Sequence, residues 1–285
     1  MILRLLALAG ALALAGCGAP EREWPAPSPA LWEVTGADGA RGWLFGTIHA
    51  LPDGAAWRTP ALEAALAKTG VLVVEVAALG DEAKGADAFA AVATSPGLPP
   101  LLQRVPAADR PVLAEALDRA DLDEAGLAST ESWAAALLIA NGARESGVGN
   151  GVDRALLAQG LPVVALESHA VQFALFDRLA EGDQAVLLVE SAREAGSDTE
   201  ERVAEAWLTG DLSVLEREAQ RGILADPELR RALLTARNEA WTARIAGLLA
   251  QGRQPFVAVG AAHMLGGEGL PALLAARGYT VRRIQ

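Results

Sequence analysis

The chain has 285 residues, 52% of them hydrophobic and 21% charged, with 29 glycines and 15 prolines; this composition buries a full core and excludes disordered and collagen-like chains. Lysine and arginine total 24 against 36 acidic residues, and the resulting formal net charge of -12 repels nucleic acid, so no nucleic-acid partner is expected. A single cysteine excludes an intrachain disulfide and a cysteine-rich zinc site, leaving histidine and carboxylate as the only means of holding a metal.

Residues 1–16 read as a signal peptide. Arg4 gives a positive start, Leu5 to Ala15 form an apolar run too short to span a bilayer, and Leu14-Ala15-Gly16-Cys17 resembles the bacterial lipobox. The expectation is cleavage before Cys17, a lipid on its thiol that supplies the membrane contact, and a Pro-, Ala- and Glu-rich tether over residues 17–30. Gly18 offers no acidic retention signal, which points to the outer membrane of a bacterial cell envelope, facing the periplasm.

Leu31 to Thr35 and Trp43 to Thr47 are β-forming runs around Gly36-Ala37-Asp38-Gly39, a hairpin pattern. Thr59 caps an expected helix with Pro60 in its first turn, and Val71-Leu72-Val73-Val74-Glu75-Val76 follows as a strand apolar enough to be covered on both faces. Residues 82–160 are Ala- and Leu-rich with helical spacing, including Asp109 to Arg119 and Glu131 to Glu145; Gly151-Val152-Asp153 opens a further helix. Pro162 to Glu167 is another buried strand, and helical sequence from 171 to 252 is broken at Gly196, Gly210 and Asp226-Pro227. The chain closes with a strand at Pro255 to Val259, a helix near Gly269 to Arg277 and a strand at Tyr279 to Ile284. The whole predicts an α/β (α+β) fold: one domain over 31–285, with a central mixed β-sheet, an N-terminal hairpin, covering helices and two large helical insertions.

Phe45-Gly46-Thr47-Ile48-His49-Ala50-Leu51 and Val259-Gly260-Ala261-Ala262-His263-Met264-Leu265 share the order strand, Gly-x-x-His-x-Leu, loop, helix, strand, the trace of a possible internal duplication. Two of only three histidines thus follow apolar strands, where open α/β sheets line their binding crevices. Glu75 and Glu167 end apolar strands as well. Two imidazoles and two carboxylates suffice for a divalent metal with an open position, which could acidify water or polarise a carbonyl. A carboxylate inside Val-Val-Glu-Val needs a partner. Glu167 could instead cap the next helix or pair with arginine, Arg237 could bind an oxyanion or simply solvate a helix face, Asp153 fits the start of a helix, and His169 has no matching turn and suits a structural or supporting place. No phosphate loop, His-Glu-x-x-His helix or nucleophile elbow is present.

Leu44-Phe45-Gly46-Thr47-Ile48-His49 with Leu51-Pro52, Val73-Val74-Glu75-Val76, Gly151-Val152-Asp153, Leu166-Glu167, Arg237-Asn238 and Val259-Gly260-Ala261-Ala262-His263-Met264-Leu265-Gly266 together resemble the TraB/GumN family, which is related to the membrane-tethered Tiki metalloproteases. The resemblance implies a metal-dependent hydrolase, a metallopeptidase acting on peptides or proteins, with a divalent ion (Mn, Co or Zn) on His49, His263 and Glu75. It implies catalytic roles for Glu75, Glu167 and Arg237, and substrate contacts for Asn238 and Asp153. The wider superfamily is similar to esterase-like hydrolases that use His and Glu without metal and to haem-binding lipoproteins, so three other readings stand beside the first: a metal-independent esterase, a non-catalytic peptide- or haem-binding lipoprotein, and a purely structural one.

Overall fold

The computed structural model describes residues 23–79, 81–143, 151–195, 197 and 199–285. The expected signal peptide, Cys17, the first part of the tether and the helix end at Glu145 lie outside them. Six strands form one sheet: β1 (Leu31–Thr35), β2 (Arg41–Thr47), β3 (Val71–Val76), β4 (Val163–Glu167), β5 (Pro255–Gly260) and β6 (Thr280–Arg283), in the order β4-β3-β5-β2-β1-β6. β3 pairs in parallel with β4 and β5, β5 with β2, while β1 is antiparallel to both β2 and β6. Five strands therefore share one direction and β1 alone is reversed. This is the expected α/β fold, with the expected hairpin between β1 and β2.

Alternation along the central strands divides their side chains between two layers. Leu72, Val74, Phe45, Phe256 and Ala258 face one layer. It is completed by α1 (Pro60–Leu66), α5 (Val152–Leu157), α8 (Thr199–Thr209) and α9 (Leu212–Glu218). Val71, Val73, Leu44, Val257 and Val259 face the other, against α11 (Ala236–Ala250) and α12 (Leu270–Ala276). Both faces are covered, which is why β3 and β5 read as continuous apolar runs. α1 starts where its sequence dictates: Thr59 Oγ1 accepts the Leu62 N–H at 3.2 Å and Pro60 sits in the first turn.

The two helical stretches fall between β3 and β4 and between β4 and β5. From the first come α2 (Glu82–Ala90), α3 (Arg110–Arg119), α4 (Ser132–Gly142) and α5; from the second α6 (His169–Asp177), α7 (Glu181–Glu194), α8, α9, α10 (Pro227–Arg230) and α11. α3, α4 and α7 pack around Leu113, Trp133, Ile139, Leu187 and Leu188, a helical core distinct from the two sheet layers. Phe173 of α6 packs on its margin. Among the described residues no helix is long and apolar enough to cross a membrane.

The ends of β2 and β5 touch closely. A Cβ on Gly46 would lie 2.9 Å from the Ala261 Cα, and the Gly46 carbonyl accepts the buried Trp207 indole N–H at 2.7 Å. Gly46→Ala is expected to cost about 1–3 kcal/mol through this overpacking. Gly247→Ala, in α11 with open space at its Cβ position, is expected to gain about 0.5–1 kcal/mol from helix propensity. Urea unfolding of the two variants tests this, and a Gly46→Ala protein as stable as wild type would contradict the close approach.

Candidate active site

The carboxyl ends of β2, β3, β4 and β5 lie at one edge of the sheet and carry the predicted residues. Register places Val76 opposite Glu167 and Val74 opposite Ala258, so Glu75 is level with the end of β5. The Glu75 Oε1 accepts the Gly260 N–H at 2.8 Å, and Oε2 accepts from Arg237 Nη2 at 2.7 Å and Gln172 Nε2 at 3.2 Å. Glu167 ends β4 and meets Arg237 in a two-pronged pair, Nε to Oε1 at 3.0 Å and Nη2 to Oε2 at 2.8 Å; Trp241 Nε1 adds a third bond to Oε1 at 3.0 Å. Of the two alternatives for Glu167, pairing with arginine is the one observed, and Ser168 caps α6 instead.

Arg237 is fully used. Its five N–H groups meet Glu167 through Nε and Nη2, Glu75 through Nη2, and the Leu233 carbonyl and His263 Nε2 through Nη1. Its guanidinium also lies 4.5 Å from the centre of the Trp241 ring. The Leu233 carbonyl belongs to a π-helical turn, Arg231–Thr235, that precedes α11 and meets the Arg237 side chain at 3.0 Å. Arg237 was expected to orient substrate or stabilise developing charge. The geometry gives it to the protein instead: it holds two carboxylates and has no N–H left to offer in this arrangement.

The two Gly-x-x-His turns are not equivalent. Strand pairing sets Gly46 opposite Val259 and Thr47 opposite Gly260, a stagger of one residue, and only the second turn winds into a 3-10 helix, Ala261–Met264. The His263 side chain is 6% exposed and that of His49 53%. His263 Nδ1 lies 2.6 Å from Asn238 Oδ1, while the Asn238 amide N–H group donates to the Glu268 carbonyl at 2.8 Å. That second bond fixes the amide orientation, so His263 Nδ1 carries the proton and Nε2 the lone pair, which faces Arg237 at 3.4 Å. Asn238 is 0% exposed, and its side chain bonds His263 and the Glu268 carbonyl. Arg282 and Arg283, on β6, bond Glu33 and the Gly210 carbonyl.

His49 Nδ1 lies 2.6 Å from Asp153 Oδ2. Gly151 makes that pairing possible, since a Cβ there would stand 2.5 Å from the His49 carbonyl, and the Val152 N–H donates to the Ile48 carbonyl at 3.0 Å. Gly151-Val152-Asp153 is thus a docking piece for the first histidine turn, with Asp153 bonded to the imidazole rather than placed to touch substrate. His49, Glu75 and Asp153 share the wall of a cavity of about 370 Å³ with Arg154, His169 and Gln172. His169 Nε2 lies 3.2 Å from the Ala78 carbonyl, and its ring stacks on Phe173, so it supports the wall. Gln172, the contact with Glu75 that sequence reasoning missed, lies three residues beyond His169 on α6; that helical spacing is the one signal that could have found it.

Burial pushes the Glu75 carboxyl up, but His263, Arg237, the Gly260 N–H and His49 together outweigh it and lower the pKa to about 2. Burial pushes His263 down, Glu75 opposes, and Arg237 and His49 add to the fall, which ends at about 4. At neutral pH His263 is therefore neutral, and Arg237 with the Gly260 N–H keeps Glu75 ionised.

His49, Glu75 and His263 are the residues expected to hold a cation. Both Glu75 oxygens and His263 Nε2 already accept protein N–H groups, and none of these atoms is among the buried polar atoms lacking a partner. Among the described residues no three His, Cys, Asp or Glu side chains are gathered to hold an ion. So arranged, the donor set does not fit a metal at His263.

Arg237→Met should destabilise the protein by about 3–5 kcal/mol, the usual cost of stranding buried partner charges, and Glu167→Gln in the same chain should recover part of it. His263, with a folded pKa near 4 against an ordinary 6.5, stabilises the fold fully above pH 6.5, and this contribution, on the order of 3 kcal/mol, is lost as pH falls toward 4. Urea unfolding in chelator-containing buffers across that range should show the slope in wild type and not in His263→Gln; equal slopes would remove His263 as its source.

A family model described as the TraB/PrgY/gumN family matches residues 30–283, nearly all of the chain, and the chain belongs to that family. No curated protein and no solved structure matches it.

Proposed function

We propose that this member of the TraB/PrgY/gumN family is a hydrolase of carboxylic esters or amides, with His49 as general base, Asp153 orienting it, and Glu75 as a fixed negative charge beside it. The observation that carries the reading is the 2.6 Å His49–Asp153 pair on the wall of the cavity that ionised Glu75 also lines. Asp153 accepts the hydrogen bond from the Nδ1–H, which sets the tautomer and leaves the lone pair on Nε2. His49 Nε2 removes a proton from water as the water oxygen bonds the carbonyl carbon. The imidazolium so formed is stabilised by Asp153 and Glu75, and it returns the proton to the leaving oxygen or nitrogen as that bond breaks. Gln172, which lines the cavity and bonds Glu75 through its amide, supplies its second amide N–H as a neutral donor for the carbonyl oxygen as charge develops there. Arg237 acts through Glu75, holding its position and its ionisation, and Glu167 holds Arg237 in place.

A metallopeptidase is the second reading. The carboxylate–histidine bond between Asp153 and His49 favours it, being the arrangement that steadies imidazoles on metals. A bound divalent ion would supply a Lewis acid to the carbonyl. In either reading the lipobox at Cys17 supports a lipid-anchored enzyme of the cell envelope acting on peptides, proteins or esters there.

Turnover of ester and peptide panels, measured with exhaustive chelation and after adding back manganese, cobalt or zinc, separates the two. The expected result is activity that survives chelation and drops by about 10²-fold or more in His49→Ala and Asp153→Asn. Activity abolished by chelation and restored by one metal would overturn the metal-independent reading in favour of the metallopeptidase. Full activity in His49→Ala would sink the proposed base in both.

A further inference from the structure

The geometry points to Arg154 as the residue that recognises a carboxylate on the substrate, so that the site takes small acyl compounds with a free carboxylate, such as short peptides with an unblocked C-terminus. This rests on the hydrolase reading above and names its substrate class. Arg154 follows Asp153 directly on α5, its backbone N–H donates to Asp153 Oδ1 at 2.8 Å, and it is one of the residues lining the cavity, with its side chain 30% exposed. The two arginines near the site are in opposite states. Arg237 spends every N–H on the protein, whereas the ion pair that Arg154 makes among the described residues is a 3.9 Å contact with Glu82, whose side chain is 83% exposed. A pair so long and so wet is worth little and gives way readily to a better partner.

The other acids of the wall do not compete for it: Asp153 is bonded to His49, and Glu75 to Arg237, Gln172 and Gly260. A planar guanidinium fits a carboxylate two-pronged, which gives direction as well as charge. Phe173, Leu79 and Val74 on the same wall give the cavity an apolar part beside this cationic one. At about 370 Å³ the space lies at the small end of ligand sites. A carboxylate on Arg154 is held by the residue adjacent to the partner of the base, which brings a bond close to the chain end, not one deep inside a long polypeptide, to His49.

The test compares N-acetyl-trialanine with its C-terminal amide, the same compound without the negative charge, by equilibrium binding to the full chain, or by KM where it is turned over. Wild type should bind the acid about tenfold or more tighter than the amide, the worth of a charged hydrogen-bonded pair. Arg154→Gln should bring the two affinities together and Arg154→Lys should keep part of the gap, with melting curves confirming that both variants fold. Equal affinities in wild type, no binding of either compound, or an acid preference that survives in Arg154→Gln would each overturn the assignment. A preference for the acid without hydrolysis would instead remove the hydrolase reading and leave the carboxylate site standing.

Discussion

One guanidinium shared between two carboxylates organises this site. Arg237 reaches from α11 to Glu167 at the end of β4 and Glu75 at the end of β3, tying two neighbouring strands to the helix that covers them. Without it the buried Glu75 carboxylate would lose a main source of its stabilisation. Its placement in turn depends on the π-helical turn before α11, whose Leu233 carbonyl takes one of its N–H groups, and on Trp241, which lies against the guanidinium and bonds Glu167. The ionised Glu75 that faces the cavity is therefore the outer surface of a satisfied buried network.

That network explains why two histidines in matching sequence patterns serve different ends. The β5 turn coils inward, and His263 becomes part of the inner network, bonded through Asn238 to the loop at Glu268. The β2 turn stays open, and His49 looks into the cavity with Asp153 behind it. A stagger of one residue between the paired strands and the different residues docked on each turn are enough to separate a buried imidazole from an exposed one.

Much of this was legible in the sequence. The strands β3 and β5 are apolar runs because both faces are covered, whereas β4, expected to be buried too, is an edge strand with Val163 exposed; Glu75 stood out because a carboxylate cannot sit in an apolar run without a partner. The histidine turns, the cap at Thr59 and the helical stretches between β3 and β5 followed from spacing alone. The partner of Glu75 did not. Arg237 lies 162 residues away, and an arginine on a helix face has no local mark that separates a solvated role from a buried one. Pairing order was hidden for the same reason: β5 inserts between β2 and β3, a non-local choice made by packing. Gln172 and Arg154 were passed over because a glutamine or arginine on an amphipathic helix is, residue by residue, ordinary.

The cavity lies on a seam between two hydrophobic cores. Its chemical wall, His49 and Glu75, rises from the sheet, while Phe173, which closes part of the other side, packs on the helical core of α3, α4 and α7. The two walls are thus stabilised by separate sets of apolar contacts and need not rise and fall together. Partial unfolding confined to the helical unit would erase the Phe173 wall and leave His49 and Glu75 standing, as expected where cooperative units of unequal stability meet. The same division lets substitutions accumulate in the helical unit and reshape the cavity without disturbing the polar network at the strand ends, so the two walls can diverge at independent rates.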